Sequence, residues 1–315
     1  MKNMKTKVIA IMLIVVMALT GCMNMNVDFV INSDGSGSYI MLIRFEKEAW
    51  VDYLEKAYAS NGETLTEKDV KEIESSMLGD NFQLVTIDGK EYYQQSETVK
   101  IKKGELQKKI AGDDKNSYVT TDTVYLVINY KDELKELRAS KDYQELLKEF
   151  SLDSVEFIVT MQLPKPIVNT NGTIDKENPN KATFTLALDK NNLIFATTKK
   201  NTTITSVKNM IQKDNTVTAP KITKLKANKV KKKAKKATAT LKFKKVKGIK
   251  KYQIEYSTKK NFKVARCETV KKNVYTIKKL KKGKKYYVRV RAVKTNSVGV
   301  TVYSKWVKKS VKTKK

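Results

Sequence analysis

The side chains that could carry chemistry in this 315-residue chain are few. It contains no histidine and two cysteines, Cys22 and Cys267. A Ser-His-Asp triad, a Cys-His pair, a histidine general base and the usual zinc hydrolase sites therefore cannot form. Because Cys22 ends an apolar export segment, Cys267 is left without a disulfide partner, and a multi-cysteine zinc site is excluded. We expect no cofactor and no metal ion.

Carboxylates remain as candidates for catalysis, since a glycosidase needs two acids that face each other across a cleft. Acids are plentiful before residue 221, but they stand mainly on predicted helix surfaces and turns: Glu46, Glu48, Glu72, Glu74, Asp113 and Asp114. Solvation of charged faces explains acids in such places. We therefore expect a protein without enzymatic activity and keep a carboxylate-based enzyme as the alternative.

The N-terminus has the pattern of an export signal. Lys2, Lys5 and Lys7 precede an apolar run over residues 8–19. This run is shorter than the about 20 residues that a bilayer-spanning helix needs. Small residues and a cysteine follow it directly. The sequence therefore predicts a removable signal peptide over residues 1–21.

The segment Leu19-Thr20-Gly21-Cys22 resembles the bacterial lipobox. The resemblance implies that the Cys22 thiol receives acyl lipid, such as palmitate, and that Cys22 becomes the first residue of the mature chain. It also implies a location on the extracytoplasmic face of the cell membrane, with the protein held there by its lipid.

Basic residues are concentrated in the last third of the chain. Residues 221–315 hold 36 Lys and Arg but two acids, whereas residues 1–220 hold 28 bases and 31 acids. The composition changes at Asn215–Pro220, where polar residues and proline interrupt any pattern. We therefore predict one domain over residues 22–215, a linker over 216–220 and a second domain over 221–315.

The second domain alternates apolar residues with lysine in short bursts, which predicts strands with one buried face and an all-β sandwich. The alternating apolar residues are Ile222, Leu225, Ala227, Ala237, Ala239, Leu241, Phe243, Tyr252, Ile254, Tyr256, Tyr275, Ile277, Tyr286, Val288, Val290 and Ala292. The same spacing favours packing, rather than a carbohydrate platform, for Tyr256 and Trp306. Cys267 falls in a short strand-like run, where we expect an inert small residue.

The second domain resembles a fibronectin type III domain. The resemblance is carried by the segments 248–257, 275–277, 282–292 and 303–306, together with Leu280. It implies an immunoglobulin-like sandwich with a buried corner formed by Leu280 and Tyr286. The aromatic residue of the second strand, usually Trp in the family, is Phe243 here.

The lysines of this domain are candidates for contact with polyanions. They are densest at Lys231, Lys232, Lys233, Lys235, Lys236, Lys281, Lys282, Lys284 and Lys285. Export to the cell surface argues against nucleic acid as the partner and favours phosphate-rich wall polymers. A lysine-rich face that is only solvated is an equal alternative.

The first domain reads as α+β with an antiparallel sheet. A hairpin is predicted over residues 25–45, a capped helix from Thr66 to Gly79 and a second hairpin at Asp88-Gly89. Further strands are predicted over residues 118–130, 155–163 and 182–188, with a helix over 131–150. We expect the helices to cover one face of the sheet.

The first domain resembles the LppM family of bacterial lipoproteins. The resemblance rests on Asn32-Ser33-Asp34-Gly35-Ser36-Gly37, Met161-Gln162-Leu163-Pro164 and Thr170-Asn171-Gly172-Thr173-Ile174. It implies a lipid-binding type of fold that could hold an acyl chain or glycolipid, but no ligand residue is carried over. The prediction is a monomeric, membrane-anchored protein that binds lipid with its first domain and wall polymer with its second. A structural spacer or adhesion protein without a small ligand is the alternative.

Overall fold

The computed structural model describes residues 23–60, 62–78, 82–129, 156–187, 191–230 and 236–314. Chain contacts divide these residues into two compact units, one within residues 1–112 and 117–204 and the other within residues 113–116 and 205–315. The predicted signal peptide, Cys22 and the predicted helix over 131–150 lie outside the described residues. None of the helices in the described ranges combines the length and apolar character that crossing a bilayer requires.

The N-terminal unit contains two sheets and three helices among its described residues. Its strands are β1 Met23–Ile31, β2 Gly37–Glu46, β3 Gln83–Ile87, β4 Lys90–Ile101, β5 Tyr118–Val119, β6 Thr123–Asn129, β7 Glu156–Gln162, β8 Asn169–Thr170, β9 Thr173–Ile174, β10 Lys181–Leu186 and β11 Asn191–Thr197. Its helices are α1 Lys47–Ser60, α2 Glu67–Leu78 and α3 Leu106–Ile110. The larger sheet has the order β3-β4-β2-β1-β7-β10-β9, and the smaller has β5-β6-β11-β8.

The predicted hairpins are both present. Strand β1 pairs with β2 in antiparallel register, with Ile31 opposite Gly37. Asp88 and Gly89 both have positive φ, as a two-residue hairpin turn requires. The large sheet is antiparallel except for one pair, since β1 and β7 run parallel. The sequence did not indicate this pairing, because it joins strands more than a hundred residues apart.

The main core of the N-terminal unit lies between its two sheets. Val27 and Met161 of the large sheet share one buried cluster with Val124 and Ile194 of the small sheet. These side chains are at most 9% exposed. The two sheets therefore pack face to face through apolar side chains, and the unit is α+β with a sandwich of sheets as its main body.

A second, aromatic cluster joins helices α1 and α2 to the large sheet. Trp50 and Leu54, four residues apart on α1, are buried against Phe45 of β2. Helix α2 begins with the predicted capping box: Asp69 Oδ2 accepts from Thr66 N at 2.9 Å, and Thr66 Oγ1 accepts from Asp69 N at 3.2 Å.

One predicted strand is wrong in its extent. Residues 118–130 were expected to form a single strand, but the chain turns back after Val119, and β5 pairs antiparallel with β6. The hydroxyl of Thr120 accepts a hydrogen bond from Thr123 N and donates to the Asp122 carboxylate, which stabilises the turn. Period-two alternation continues through such a short turn, so the pattern alone did not reveal it.

The C-terminal unit is an all-β sandwich preceded by a helix. Its strands are β12 Ile222–Ala227, β13 Ala237–Phe243, β14 Lys251–Ser257, β15 Arg266–Val270, β16 Val274–Leu280, β17 Lys285–Thr295, β18 Thr301–Tyr303 and β19 Val307–Lys312. One sheet has the order β12-β13-β16 and the other β15-β14-β17-β18, with β19 also paired to β17. This is the two-sheet architecture that the alternation predicted.

The core of the sandwich is built from the alternating residues. Phe243 and Tyr252 are fully buried, and their ring centroids are 4.7 Å apart. A register shift between Ile222 and Lys224 explains why the apolar series opens with a spacing of three before returning to two.

Helix α4, Ile204–Asn215, was not predicted, and its C-terminal end is bonded to the loop after β17. Asp214 Oδ1 lies 2.8 Å from Lys294 Nζ, and Asp214 Oδ2 accepts from Ser297 N at 2.7 Å. Although partial burial opposes it, these hydrogen bonds and the Lys294 charge keep the pKa of the Asp214 carboxyl below its usual value. The last turn of α4 is thereby part of the C-terminal unit.

Candidate functional site

A basic cleft opens at one end of the C-terminal sandwich. It has a volume of about 420 Å³ and lies where β13 and β15 begin and β14 and β16 end. Four cationic side chains line it: Lys236, Arg266, Lys279 and Lys281. Its remaining lining includes Leu280 and Tyr286, both of them buried, and the backbone of the segment around Val264. We call this feature the basic cleft.

An irregularity in β16 places Lys279 in the basic cleft. Ala237 pairs with Leu280 and Ala239 with Ile277, so that two steps along β13 match three along β16. The extra residue forms a bulge, and Lys279 takes up a positive φ of 59° within it. Left-handed backbone is unfavourable for a lysine and persists only where the surrounding structure imposes it. The strand pairing therefore holds Lys279 in this position.

Lys281 is held at the basic cleft by two hydroxyl groups. Lys281 N donates to the hydroxyl of Tyr286 at 3.0 Å, and Leu280 and Tyr286, the corner that the resemblance implied, are both buried. Thr313 Oγ1 lies 2.7 Å from Lys281 O and accepts from Lys284 N at 3.0 Å. Gly283, with a φ of 65°, allows the chain to turn between them. The lysine-rich turn is thus rigidly attached to β17 and to the end of the chain.

The hydrogen bond to the Tyr286 hydroxyl has a testable effect on the stability of the domain. We expect Tyr286→Phe to lower the free energy of unfolding by about 0.5–1.5 kcal/mol, because the amide of Lys281 loses its acceptor. Tyr287→Phe is the matched control, since Tyr287 is the next residue on β17 and lies half-exposed. Urea unfolding of both variants measures the difference, and equal losses would rule out a special contribution from the corner.

No acidic side chain is among the described residues that line the basic cleft. The domain has two acids, Glu255 and Glu268. Glu255 accepts from Arg289 Nε at 2.7 Å, so its charge is already paired. Glu268 lies on β15 opposite Ile254. Among the described lining residues the four cations therefore have no carboxylate beside them, and the cleft carries a net positive charge.

The structure brings together some of the predicted lysines and adds other basic residues. Lys236 and Lys281 line the basic cleft. Lys282, Lys284 and Lys285 are exposed in the following turn and at the start of β17. The remaining predicted lysines, Lys231, Lys232, Lys233 and Lys235, lie outside the described residues. Arg266 and Lys279 were missed, because Arg266 stands alone, Lys279 belongs only to the short pair Lys278-Lys279, and the bulge and strand pairing bring them to the site.

Trp306 is packed between two arginines. The Cζ atoms of Arg289 and Arg291 each lie 4.4 Å from its ring centroid. Phe262 covers the far side of Arg289 at 4.3 Å, and Tyr303 covers Arg291 at 3.7 Å. This alternation of cations and rings is a stabilising arrangement.

Cys267 is exposed on β15 as a free thiol. Partial desolvation raises its pKa, and the neighbouring Glu255 carboxylate adds to the effect. Less thiolate is then present at neutral pH, which disfavours reaction as a nucleophile.

The N-terminal unit has a second cleft, also of about 420 Å³, beside helix α1, and most of its lining residues are charged. Two of the acids named from the sequence, Glu46 and Glu48, line it, together with Asp52 and Glu91, whereas Glu72, Glu74, Asp113 and Asp114 do not. Lysines neutralise part of this charge, since Lys90 Nζ lies 2.7 Å from Glu46 and Lys47 Nζ lies 2.8 Å from Glu91. Within the described residues, no group of acids or cysteines is arranged to hold a metal ion.

Comparison with known proteins identifies the C-terminal unit. Residues 220–309 match the fibronectin type III domain family. The sandwich of the C-terminal unit is therefore a fibronectin type III domain, as the resemblance predicted. No curated protein matches the chain.

Solved structures similar to the chain fall into two groups. FN3tt is 23% identical, with 31% of this chain and 98% of that chain covered and a TM-score of 0.24. A Fn3-like protein from Clostridium thermocellum is 25% identical, covering 31% and 94%, with a TM-score of 0.23. The folded domain of LppM from Mycobacterium tuberculosis is 13% identical, covering 59% and 93%, with a TM-score of 0.28. This last likeness is weak, and no ligand is inferred from it.

Proposed function

We propose that this protein is a non-enzymatic surface lipoprotein whose fibronectin type III domain binds anionic cell-wall polymers. A domain of this type is a structural or adhesion module, and the added property here is its charge. The observation that carries the proposal is the basic cleft, where Lys236, Arg266, Lys279 and Lys281 converge without a carboxylate among the described lining residues. The excess of 36 bases over two acids in residues 221–315 extends the positive potential beyond the cleft.

The proposed anchor is acyl lipid on Cys22, which would place the protein on the extracytoplasmic face of the cell membrane. The support comes from the export signal and the lipobox-like segment that ends at Cys22. Phosphate-rich wall polymers are the main polyanions at that location. Anchor and basic domain lie at opposite ends of the sequence, so the proposal describes a tether between membrane and wall.

The N-terminal unit is proposed to take up lipid or glycolipid. Support comes from the sequence resemblance of this unit to the LppM family, which implies a lipid-binding type of fold. An apolar cavity between its two sheets would favour this role, whereas a densely packed core would favour a structural one. The alternative is that this unit is a spacer with no small ligand.

Binding to isolated wall sacculi tests the electrostatic part. We expect the chain from residue 23 onward to pellet with sacculi at about 50 mM salt and to bind about 50-fold more weakly at about 200 mM, if four cations each release counterions as on single-stranded polyanions. Sacculi stripped of their phosphate-rich polymers are the control and should bind little. Affinity that changes less than twofold with salt would contradict the proposal.

Native mass spectrometry of the same chain tests the lipid part. Since this chain lacks Cys22, any bound lipid is held non-covalently. We expect a population with the added mass of one lipid, which should disappear after extraction with organic solvent. A protein that carries no lipid, even after incubation with membrane extract, would favour the spacer alternative.

A further inference from the structure

Two lysines face each other on the outer surface of the three-stranded sheet. Lys224 of β12 is the register partner of Lys242 of β13, and both are exposed. Like charges directly opposite each other on neighbouring strands are destabilising. None of the ion pairs among the described residues involves either lysine. On the next strand, β16, the register partner of Lys242 is Val274, which is 47% exposed, and not an acid.

The pair lies on the same strand as the basic cleft. Lys236, which lines the cleft, directly precedes β13, and Lys242 is the sixth residue after it. At about 3.3 Å per residue, the two positions are about 20 Å apart. Lys226 lies between them, because its register partner is Thr240 in the middle of β13. Positive charge therefore continues along β13 from the cleft to the facing pair.

We propose that the basic cleft and the Lys224–Lys242 pair are the two ends of one track that binds an extended polyanion. This inference rests on the proposed function and adds the size and shape of the ligand: a linear chain with phosphate groups repeated over about 20 Å. Once one end of a polyanion is bound in the cleft, binding of its other end to the lysine pair is intramolecular. Longer chains therefore bind more tightly than short ones. Binding also relieves the repulsion between the two lysines.

Polyphosphates of different length test the track. The chain from residue 23 onward is titrated with tripolyphosphate, which is too short to span both ends, and with long-chain polyphosphate. We expect Lys224→Gln combined with Lys242→Gln to weaken binding of the long chain about 30-fold, at the usual contribution of a basic residue near an anionic surface. Affinity for tripolyphosphate should stay within about twofold, because the cleft is intact.

The control variant is Lys250→Gln with Lys251→Gln, which removes the same charge from exposed positions outside the track. It should leave both affinities nearly unchanged. Lys242→Gln alone should raise the midpoint of thermal unfolding slightly, since it removes the repulsion, and this shows that the variant folds.

Three results would contradict the proposal that the cleft and the lysine pair form one track. If the wild-type chain binds both lengths equally, the cleft binds anions but the track does not exist. If the Lys224 and Lys242 variant weakens both lengths alike, or the control variant has the same effect, general charge is responsible. If neither polyphosphate binds, the proposed function fails together with the track.

Discussion

Replacing Lys236, Arg266, Lys279 and Lys281 together by glutamine is expected to weaken binding to wall sacculi by roughly three orders of magnitude. A basic residue near an anionic surface contributes about 1 kcal/mol, and four of them together correspond to that change in affinity. All four line the basic cleft, which neither acid of residues 221–315 lines: Glu255 is paired with Arg289, and Glu268 is outside the lining. Affinity is measured by co-sedimentation at low salt, where screening is weakest.

The matched control replaces Lys250, Lys251, Lys305 and Lys309 by glutamine. All four are exposed and lie outside the cleft, so the net charge of the domain falls by the same amount. Long-range attraction falls equally in the two variants, whereas contact within the cleft is lost in only one. A similar weakening in both would mean that the positive surface as a whole, and not the cleft, binds the wall.

Phe243→Ala is expected to lower the free energy of unfolding of the C-terminal unit by about 3–5 kcal/mol, because it leaves a cavity beside Tyr252 in the fully buried core. This is a large part of the stability of an ordinary domain. The effect is measured by hydrogen exchange of peptides from β13 and β14. Their slowest amides should exchange about 10²–10⁴-fold faster, if they open through global unfolding.

Two comparisons control this prediction. Peptides of β1 and β7, in the other unit, should exchange as in the wild-type chain. Val264→Ala should have little effect, within about 0.5 kcal/mol, because Val264 is 80% exposed. Faster exchange of β13 by less than tenfold would show that the core tolerates the cavity and that Phe243 is not central to it.

The fold of the C-terminal unit could be predicted well because its information is local. A buried face repeats every second residue, so the alternation from Ala237 to Phe243 identifies both the strand and its inner side. The hydrogen bond from Lys281 N to the Tyr286 hydroxyl is also local, since the two residues are five positions apart. In the N-terminal unit, local hairpins were equally clear, but the parallel pairing of β1 with β7 was not.

Only two of the four cations that line the basic cleft could be predicted from the sequence. Runs of lysine in the sequence predicted Lys236 and Lys281. A run shows that positive charge is dense in the sequence, but it does not show which side chains meet in the folded domain. Arg266 and Lys279 join them because strands distant in sequence end at the same edge of the sandwich. A bulge depends on the partner strand as much as on its own residues, and the positive φ of Lys279 has no sequence signal such as glycine.

The sequence by itself determined the absence of histidine chemistry, the division of charge and the alternation that makes a fibronectin type III domain, and it is the source of the predicted export signal with its cysteine. These follow from residue types and from spacings of a few residues, which act through local backbone geometry and burial. Only the tertiary structure decided which cations meet in the cleft, that Glu255 is neutralised by Arg289 and that Lys224 faces Lys242. Those arrangements depend on the register between strands, and register is set by packing of the whole core.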